Sequence, residues 1–333
     1  MAEYKVNCLK DSEYGTWDKF VDNSPQGTLF HKSYWLKASG SKFLIYGCFR
    51  DGQLVAGIPV ICKSKFGINY AGHSQLTPYL GIVFRTERDS KYVSRISNEK
   101  QITREISKRL KKDFNSINIS FPPFPVDLQP FIWEGFTAMV SYTYLLSLDD
   151  LELVWENMDK KRRNDIRWAE ENGIRVEPSS DFNEIFSMVE KTLGRQKGKV
   201  DKATAFKYND TLSERNQCTS FIARNVSGDR IAGAYIVWDQ KRAYYLLGGA
   251  DPEKNQRGAS AMAVWEAIKF TKNKLGLNEF DFEGSMIPEV EQFFREFGGI
   301  LTPRYSVIWR RRYMKLFSFM YELAGDVLNK IRS

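Results

Sequence analysis

Phe43-Leu44-Ile45-Tyr46-Gly47-Cys48-Phe49-Arg50-Asp51-Gly52-Gln53-Leu54-Val55-Ala56-Gly57-Ile58-Pro59-Val60-Ile61 and Thr219-Ser220-Phe221-Ile222-Ala223-Arg224-Asn225-Val226-Ser227-Gly228-Asp229-Arg230-Ile231-Ala232-Gly233-Ala234-Tyr235-Ile236-Val237-Trp238 follow one pattern. Each runs from an apolar strand through a short polar turn into a second apolar strand, which is the signature of a β-hairpin. The turns are Arg50-Asp51-Gly52 and Ser227-Gly228-Asp229, and G-x-x-[VI]-A-G recurs at 52–57 and 228–233. A turn glycine supplies the positive φ that such hairpins need. The second glycine predicts a bulge or a close ligand approach within the strand.

A recurring unit makes duplication the first hypothesis, and the flanking sequence agrees. After the second hairpin, 243–250 reads as a strand and 251–258 as a polar loop. A helix follows, with Ala261, Val264, Trp265 and Ile268 on one face. A short strand at 279–283 is closed by Gly284. After the first hairpin, 68–71 and 79–84 read as strands, 97–113 as a helix and 116–121 as a strand. Pro122, Pro123, Pro125 and Pro130 mark an irregular stretch before a boundary near Leu148-Asp149-Asp150. Residues 154–172 read as one helix stopped by Gly173. Trp309, Tyr313, Leu316, Met320, Leu323, Val327 and Ile331 form an apolar helical stripe, with Arg310, Arg311, Arg312 and Lys315 on its rim. The expectation is a mixed α/β protein of two tandem domains, 1–147 and 148–308, each a twisted mixed sheet flanked by helices. A final helix, 309–333, is expected to pack back on the first domain.

The composition suits two cores: of 333 residues, 42% are hydrophobic, 14% aromatic and 27% charged. No apolar run is long enough to cross a membrane, and residues 1–7 have no apolar centre, so neither a span nor a signal peptide is expected. Four cysteines without a CxxC pair and two histidines suit a reducing cytoplasm and predict no metal site. The net charge of +8 favours polyanionic partners. One of these is the inner face of a membrane, met through the basic rim of the final helix.

Several chemistries are excluded by pattern. There is no G-x-G-x-x-G dinucleotide loop and no G-x-S-x-G nucleophile elbow, and 194–199 is too short for a P-loop. An amine attacking an ester or thioester needs none of these. It needs positioning, proton removal and donors for the oxyanion. Gly248 and Gly249 in the strand 243–250 are candidates to expose backbone donors. Glu283, at the end of a strand, can cap that strand or take a proton from the amine. His73 can line an acceptor cleft beside Tyr79, or be a plain loop histidine. Gln256-Arg257-Gly258-Ala259 opens a helix, where exposed N–H groups suit a donor phosphate. The register Gln256-x-x-Ala259-x-Ala261 is a degenerate form of the pyrophosphate motif of acyl-CoA-dependent transferases.

Arg163-Asn164-Asp165-Ile166-Arg167-Trp168-Ala169-Glu170-Glu171-Asn172-Gly173-Ile174 resembles the R-x-x-I-R-x-A-x-x-x-G-[VI] signature of Fem-like peptidyltransferases. Thr192-Leu193-Gly194-Arg195 resembles the T-x-x-R of that family. Trp265-Glu266-Ala267-Ile268 with Phe280-Asp281-Phe282-Glu283-Gly284, and Phe293–Gly299, resemble later segments of it. Phe30, Ser33, Trp35 and Lys37 resemble an early one. The resemblance implies two GNAT-like domains, a branch of the acyltransferase superfamily. It further implies transfer of an aminoacyl group from tRNA, or an acyl group from acyl-CoA, to an amine of a nucleotide- or lipid-linked cell-envelope precursor. No tightly bound cofactor is expected. Lys37 and Arg195 align with positions that hold acceptor phosphates, with Trp35 and Arg163 in the same substrate-binding set. Arg295 stands where the family places a lysine beside the reacting ester, and an arginine there keeps the charge but cannot act as a base. The alternatives are an acyl-CoA-dependent N-acetyltransferase of surface polysaccharide synthesis and a non-catalytic nucleic-acid binder. The acceptor, the transferred group, the catalytic base and the oligomeric state stay open.

Overall fold

The computed structural model describes residues 3–65, 67–86, 91–124, 127–195 and 199–311, with the Arg195 side chain outside that set. In the first half, β1 (Lys5–Cys8) leads into helices α1 (Tyr14–Asn23) and α2 (Ser33–Ala38). The expected hairpin is β2 (Phe43–Arg50) and β3 (Gln53–Lys65). Then come β4 (Ile68–Gly72), the two-residue β5 (Val83–Phe84), α3 (Tyr92–Asp113), β6 (Ser116–Ser120), α4 (Gln129–Trp133) and β7 (Thr137–Ser147). Two helices, α5 (Leu151–Asn157) and α6 (Lys160–Glu171), join the halves. The second half repeats the order with β8 (Arg175–Ser179), α7 (Phe182–Arg195) and α8 (Lys202–Ser213). Its hairpin is β9 (Cys218–Arg224) and β10 (Arg230–Trp238). It closes with β11 (Ala243–Ala250), α9 (Ala259–Asn273), β12 (Glu279–Asp281), α10 (Pro288–Arg295) and β13 (Ile300–Arg310).

All the strands lie in one 13-stranded sheet ordered β1-β2-β3-β4-β6-β13-β7-β12-β11-β10-β9-β8, with β5 beside β3. Read from either edge, the order is the same series of equivalent strands. The two hairpins therefore occupy corresponding positions, as duplication requires. One feature of the series crosses the boundary expected at 147/148. β7 pairs antiparallel with β12 of the second half, and β13 pairs antiparallel with β6 of the first. Each half has given its last strand to the other, and β7 and β13 pair along Ile300↔Leu145 to Ile308↔Thr137 at the centre.

Three further expectations are corrected. Of the stretch 79–84 only Val83–Phe84 is strand, because Tyr79 and Leu80 turn inward as loop core. The helix expected over 154–172 is broken, since Met158 is extended (ψ 143°) and the Asp159 carboxylate accepts from the Lys161 N–H at 2.8 Å as a new cap. Trp309 and Arg310 end β13 rather than begin a helix, and 312–333 lie outside the described residues. The glycine shared by the two hairpins serves packing. A Cβ on Gly57 would strike the Trp17 ring of α1, and one on Gly233 would come within 2.7 Å of Ile185 of α7.

The core has separate apolar clusters in each half and one between them. In the shared cluster Phe30 and Trp35 of the first half pack with Tyr208, Tyr235 and Tyr244 of the second. The β10–β11 turn locks this contact. Asp239 accepts from the Leu29 N–H at 2.9 Å, and Lys241 donates to the Ser24 carbonyl at 2.5 Å. Trp35, expected to bind substrate, is fully buried there and donates its indole N–H to Thr77 at 3.0 Å.

Candidate active site in the second-half strand splay

β11 and β12 run parallel for only two pairs, Ala243↔Phe280 and Tyr244↔Asp281, and then part. Beyond the divergence lies a cavity of about 400 Å³. β11 forms one wall, from Tyr245 to Ala250, and Phe282, Glu283 and Gly284 form the other. Val290, Phe293 and Phe294 of α10 close it with apolar surface. The β10–β11 register shifts here: Tyr235 faces Leu247 and Ile236 faces Tyr245. Leu246 is thus an extra residue without a ladder partner, as in a β-bulge, and its backbone polar groups are free of the sheet pattern. A larger recess of about 660 Å³ lies against β1 between Lys5, Cys8 and Asp51, and it has no buried acid or base converging on it.

Gly248 and Gly249 line the cavity. Their lack of side chains has local causes. A Cβ at Gly248 would overlap the Tyr245 hydroxyl, and one at Gly249 would stand 2.5 Å from the backbone of Met188 and Val189 in α7. Tyr245 packs its ring on Phe282 and Phe294, and burial raises its phenol pKa.

Glu283 is the most unusual group in the wall. Its φ is +56°, in the left-handed region that a side chain seldom occupies. Its Oε1 is buried without a hydrogen-bond partner among the described residues. Burial pushes the carboxyl well above the ordinary range, the nearby Asp281 adds to this, and the positive charge of Arg304 opposes it. Asp281 itself is fully buried. It accepts from Tyr79 Oη at 3.0 Å, from Thr143 Oγ1 at 2.8 Å and from the Glu283 N–H at 2.8 Å. These bonds fix the strand end that presents Glu283. Tyr79 comes from the first half and Thr143 from the exchanged strand β7, so the site is held by both halves. Tyr79 therefore acts as a buried support.

The start of α9 adjoins the cavity through Ser260. Its N-cap, Gly258, offers no side-chain bond to the first turn. The Ala259 N–H donates to the Gln256 carbonyl at 3.2 Å, and the N–H groups that follow it in the turn suit an anion. The side chains around it are otherwise engaged. Arg257 pairs with Asp165 of α6 at 2.6 Å, and a Cβ on Gly258 would overlap the Asp165 carbonyl. Ala259 is buried, and Gln256 is half-buried at the loop end.

The remaining expected residues lie elsewhere. His73 does not line an open cleft: the Ser120 N–H donates to Nε2 at 2.8 Å, so Nδ1 carries the proton and donates to Thr77 O at 3.1 Å. Burial holds it neutral, with a pKa near 4. Lys37 is exposed, with its ammonium 5.2 Å from the Tyr14 ring centroid. Arg295 is exposed on α10, 3.1 Å from Glu291, and is not part of the cavity wall. Arg163 is half-buried, with Nε unpartnered among the described residues. Its neighbour Arg162 pairs with Glu296 and stacks 4.5 Å from Phe293. Arg195 ends α7, and its side chain lies outside the described residues, so a shared cleft with Lys37 finds no support here. Among the described residues no three His, Cys, Asp or Glu side chains cluster to hold a metal ion. No described helix is long and apolar enough to cross a membrane. Sequence reasoning missed Asp281, Tyr245 and Arg304. The first had a visible signal, since Glu279, Asp281 and Glu283 alternate along one short strand.

A parallel pair splays in each half, and in the second half the splayed strand is bulged and adjoins a helix N-terminus. Residues 157–295 match the acetyltransferase (GNAT) domain family. Over the whole chain the fold is similar to that of FemX, with 14% identity, a TM-score of 0.66, and 90% of this chain and 96% of that one covered. It is also similar to a tandem GNAT protein from the clavulanic acid biosynthesis pathway (11% identity, TM-score 0.52, 92% and 98% covered). L-PGS from Bacillus licheniformis shares it as well (14% identity, TM-score 0.54, 91% and 92% covered). No curated protein matches the sequence. The chain thus has the fold of FemX and of that tandem GNAT protein.

Proposed function

We propose that this protein forms an amide by moving an acyl or aminoacyl group to an amine in the second-half cavity. The observation that carries the reading is the unpartnered carboxylate oxygen of Glu283, a residue that lines the same cavity as the bulged, glycine-bearing strand β11. The acceptor nitrogen attacks the carbonyl carbon of the donor, forming the C–N bond. Backbone N–H groups around Leu246–Gly249 stabilise the oxyanion. The C–S or C–O bond to the carrier then breaks. Glu283 takes the proton lost by the amine, and burial, by raising its pKa, makes its carboxylate a stronger base. The Tyr245 hydroxyl, protonated and lining the cavity, can return a proton to the leaving group.

The donor carrier bears phosphate, which the uncapped first turn of α9 receives. Acyl-CoA and aminoacyl-tRNA both meet that requirement. A cell-envelope precursor, a peptidoglycan peptide or an amino sugar, is the acceptor suggested by the Fem-like fold, and such precursors can be nucleotide- or lipid-linked. Work on them would put the protein in the cytoplasm at the inner membrane face. The test compares acetyl-CoA with charged tRNA as donors to amine acceptors, for the wild type and Glu283→Gln. Amide formation that depends on Glu283 supports the reading, and transfer unaffected by the substitution refutes it.

A further inference from the structure

Arg304 is unusual among the basic residues of the seam. It lies on β13, the strand exchanged into the first half, opposite Ser141 of β7. Side chains alternate along a strand, so Arg304 shares a face with Thr143, which bonds Asp281. Its guanidinium lies 5.6 Å from the Tyr79 ring centroid, while the Tyr79 hydroxyl bonds Asp281. Its charge also acts on Glu283 and His73. Yet the Arg304 guanidinium makes no ion pair or hydrogen bond among the described residues, and its Nε is buried without a partner. By contrast, Arg162 and Arg257 are paired with carboxylates, and Arg242 stands 2.9 Å from Glu279. A half-buried guanidinium with open donors is expensive to leave unmatched, because it loses water without gaining an acceptor. The Tyr79 face holds its plane, and the edge donors stay available for a planar or tetrahedral anion.

We infer that Arg304 is the anion anchor of the acceptor subsite, and that the acceptor amine carries a carboxylate or phosphate group close to the reacting nitrogen. The inference rests on the reading of Glu283 as base, and it adds the substrate class. One strand end, Asp281 to Glu283, presents the base. The opposing exchanged strand presents the anchor, and Tyr79 stands between them. An acceptor bound this way spans the seam, with its anion on Arg304 and its amine toward Glu283. Neutral amines lack the first contact. The neutral His73 imidazole, with both nitrogens occupied, does not compete for the anion.

Two experiments test this. In calorimetry with inorganic phosphate and with acetate, the wild type should bind at least one of them, Arg304→Gln should weaken that binding at least tenfold, and Arg304→Lys should retain part of it. Absence of binding, or binding unchanged in Arg304→Gln because it occurs at the start of α9, overturns the inference. In transfer assays, glucosamine 6-phosphate is compared with glucosamine, and L-alanine with L-alaninamide. The anionic member of at least one pair should be preferred about tenfold in kcat/KM. Arg304→Gln should erase that preference by raising KM for the anionic member alone, while any loss of kcat from the further rise of the Glu283 pKa falls equally on both members. Equal use of both members by the wild type, or a preference that survives Arg304→Gln, refutes the anchor. Loss of turnover in Glu283→Gln belongs to the base alone, so a failed anchor and a failed base give different patterns. Unchanged thermal unfolding of Arg304→Gln separates the anchor from a purely structural role.

Discussion

The two strand splays of this protein have the same topology and opposite occupancy. In the first half β4 and β6 run parallel for two pairs, Tyr70↔Ser116 and Ala71↔Ile117, and then separate. The gap is bridged at once, because the His73 ring accepts the Ser120 N–H and donates to the Thr77 carbonyl. In the second half the equivalent strands separate after Tyr244↔Asp281 onto an open cavity of about 400 Å³. One side chain marks the difference. The first splay satisfies its freed backbone with an imidazole and is structural. The second leaves its wall to backbone, glycine and an unpartnered carboxylate, and has room for a ligand. Duplication supplied two frames, and the proposed chemistry belongs to the frame without the plug.

The largest expected effect comes from plugging the second splay as the first is plugged. Gly248→Leu forces the Tyr245 hydroxyl aside and fills the cavity wall. Transfer should fall about 100-fold, since small misplacements at a reacting centre cost that much. Far-UV circular dichroism should stay native. Transfer at the wild-type rate would break the comparison.

Gly249→Val tests how closely α7 rests on β11. Its Cβ would stand 2.5 Å from the Met188 and Val189 backbone, so the helix must shift. A loss of about 1–3 kcal/mol in chemical denaturation is expected from such overpacking.

Unplugging the first splay should affect stability and leave transfer alone. His73→Ala strands the Ser120 N–H and the Thr77 carbonyl, at a cost of about 1–3 kcal/mol. The wild type also carries a pH signature. His73 and His31 are held neutral in the fold, with pKa values near 4 and 3 against an ordinary 6.5. Their contribution is present above pH 6.5, and it is lost as acid protonates the unfolded chain first. Urea midpoints measured between pH 7 and 4 should fall, and His73→Ala should flatten part of that slope.

The smallest effect is expected at Arg295. It is exposed and pairs only with Glu291 one turn away. Arg295→Ala should change kcat/KM less than twofold and stability by less than about 0.5 kcal/mol. A large kinetic loss would return Arg295 to the site.

Much of the fold could be read from local pattern. The two hairpins, β11 and α9 each carry their own periodicity or turn residues, and all stand where expected. The exchange of β7 and β13 could not be read this way. Each is an ordinary strand in sequence, and its partner is set by contacts far along the chain. The break between α5 and α6 was legible in principle, since Asp159 is a capping residue ahead of the basic run. For the site, Glu283, Gly248 and Gly249 stood out by position in short strands. Tyr245 reads as one more core aromatic until its ring is seen against the cavity. Arg304 reads as one more surface cation, because only the exchange brings it to Tyr79 and Glu283. Lys37, Arg195 and Arg295 entered through motif resemblance, which places residues in order without placing their side chains.

The central claim is that Glu283 is the base of the open splay. The most direct measurement is the pH dependence of amide formation by the wild type and Glu283→Gln. Burial and Asp281 raise this carboxyl and Arg304 restrains it, so the ionised base appears only as pH rises past an elevated pKa. Wild-type kcat/KM should climb on a limb above the ordinary carboxylate range, and Glu283→Gln should lose that limb together with about 100-fold or more of the rate. A Glu283→Gln protein that keeps both the rate and the limb would contradict the account.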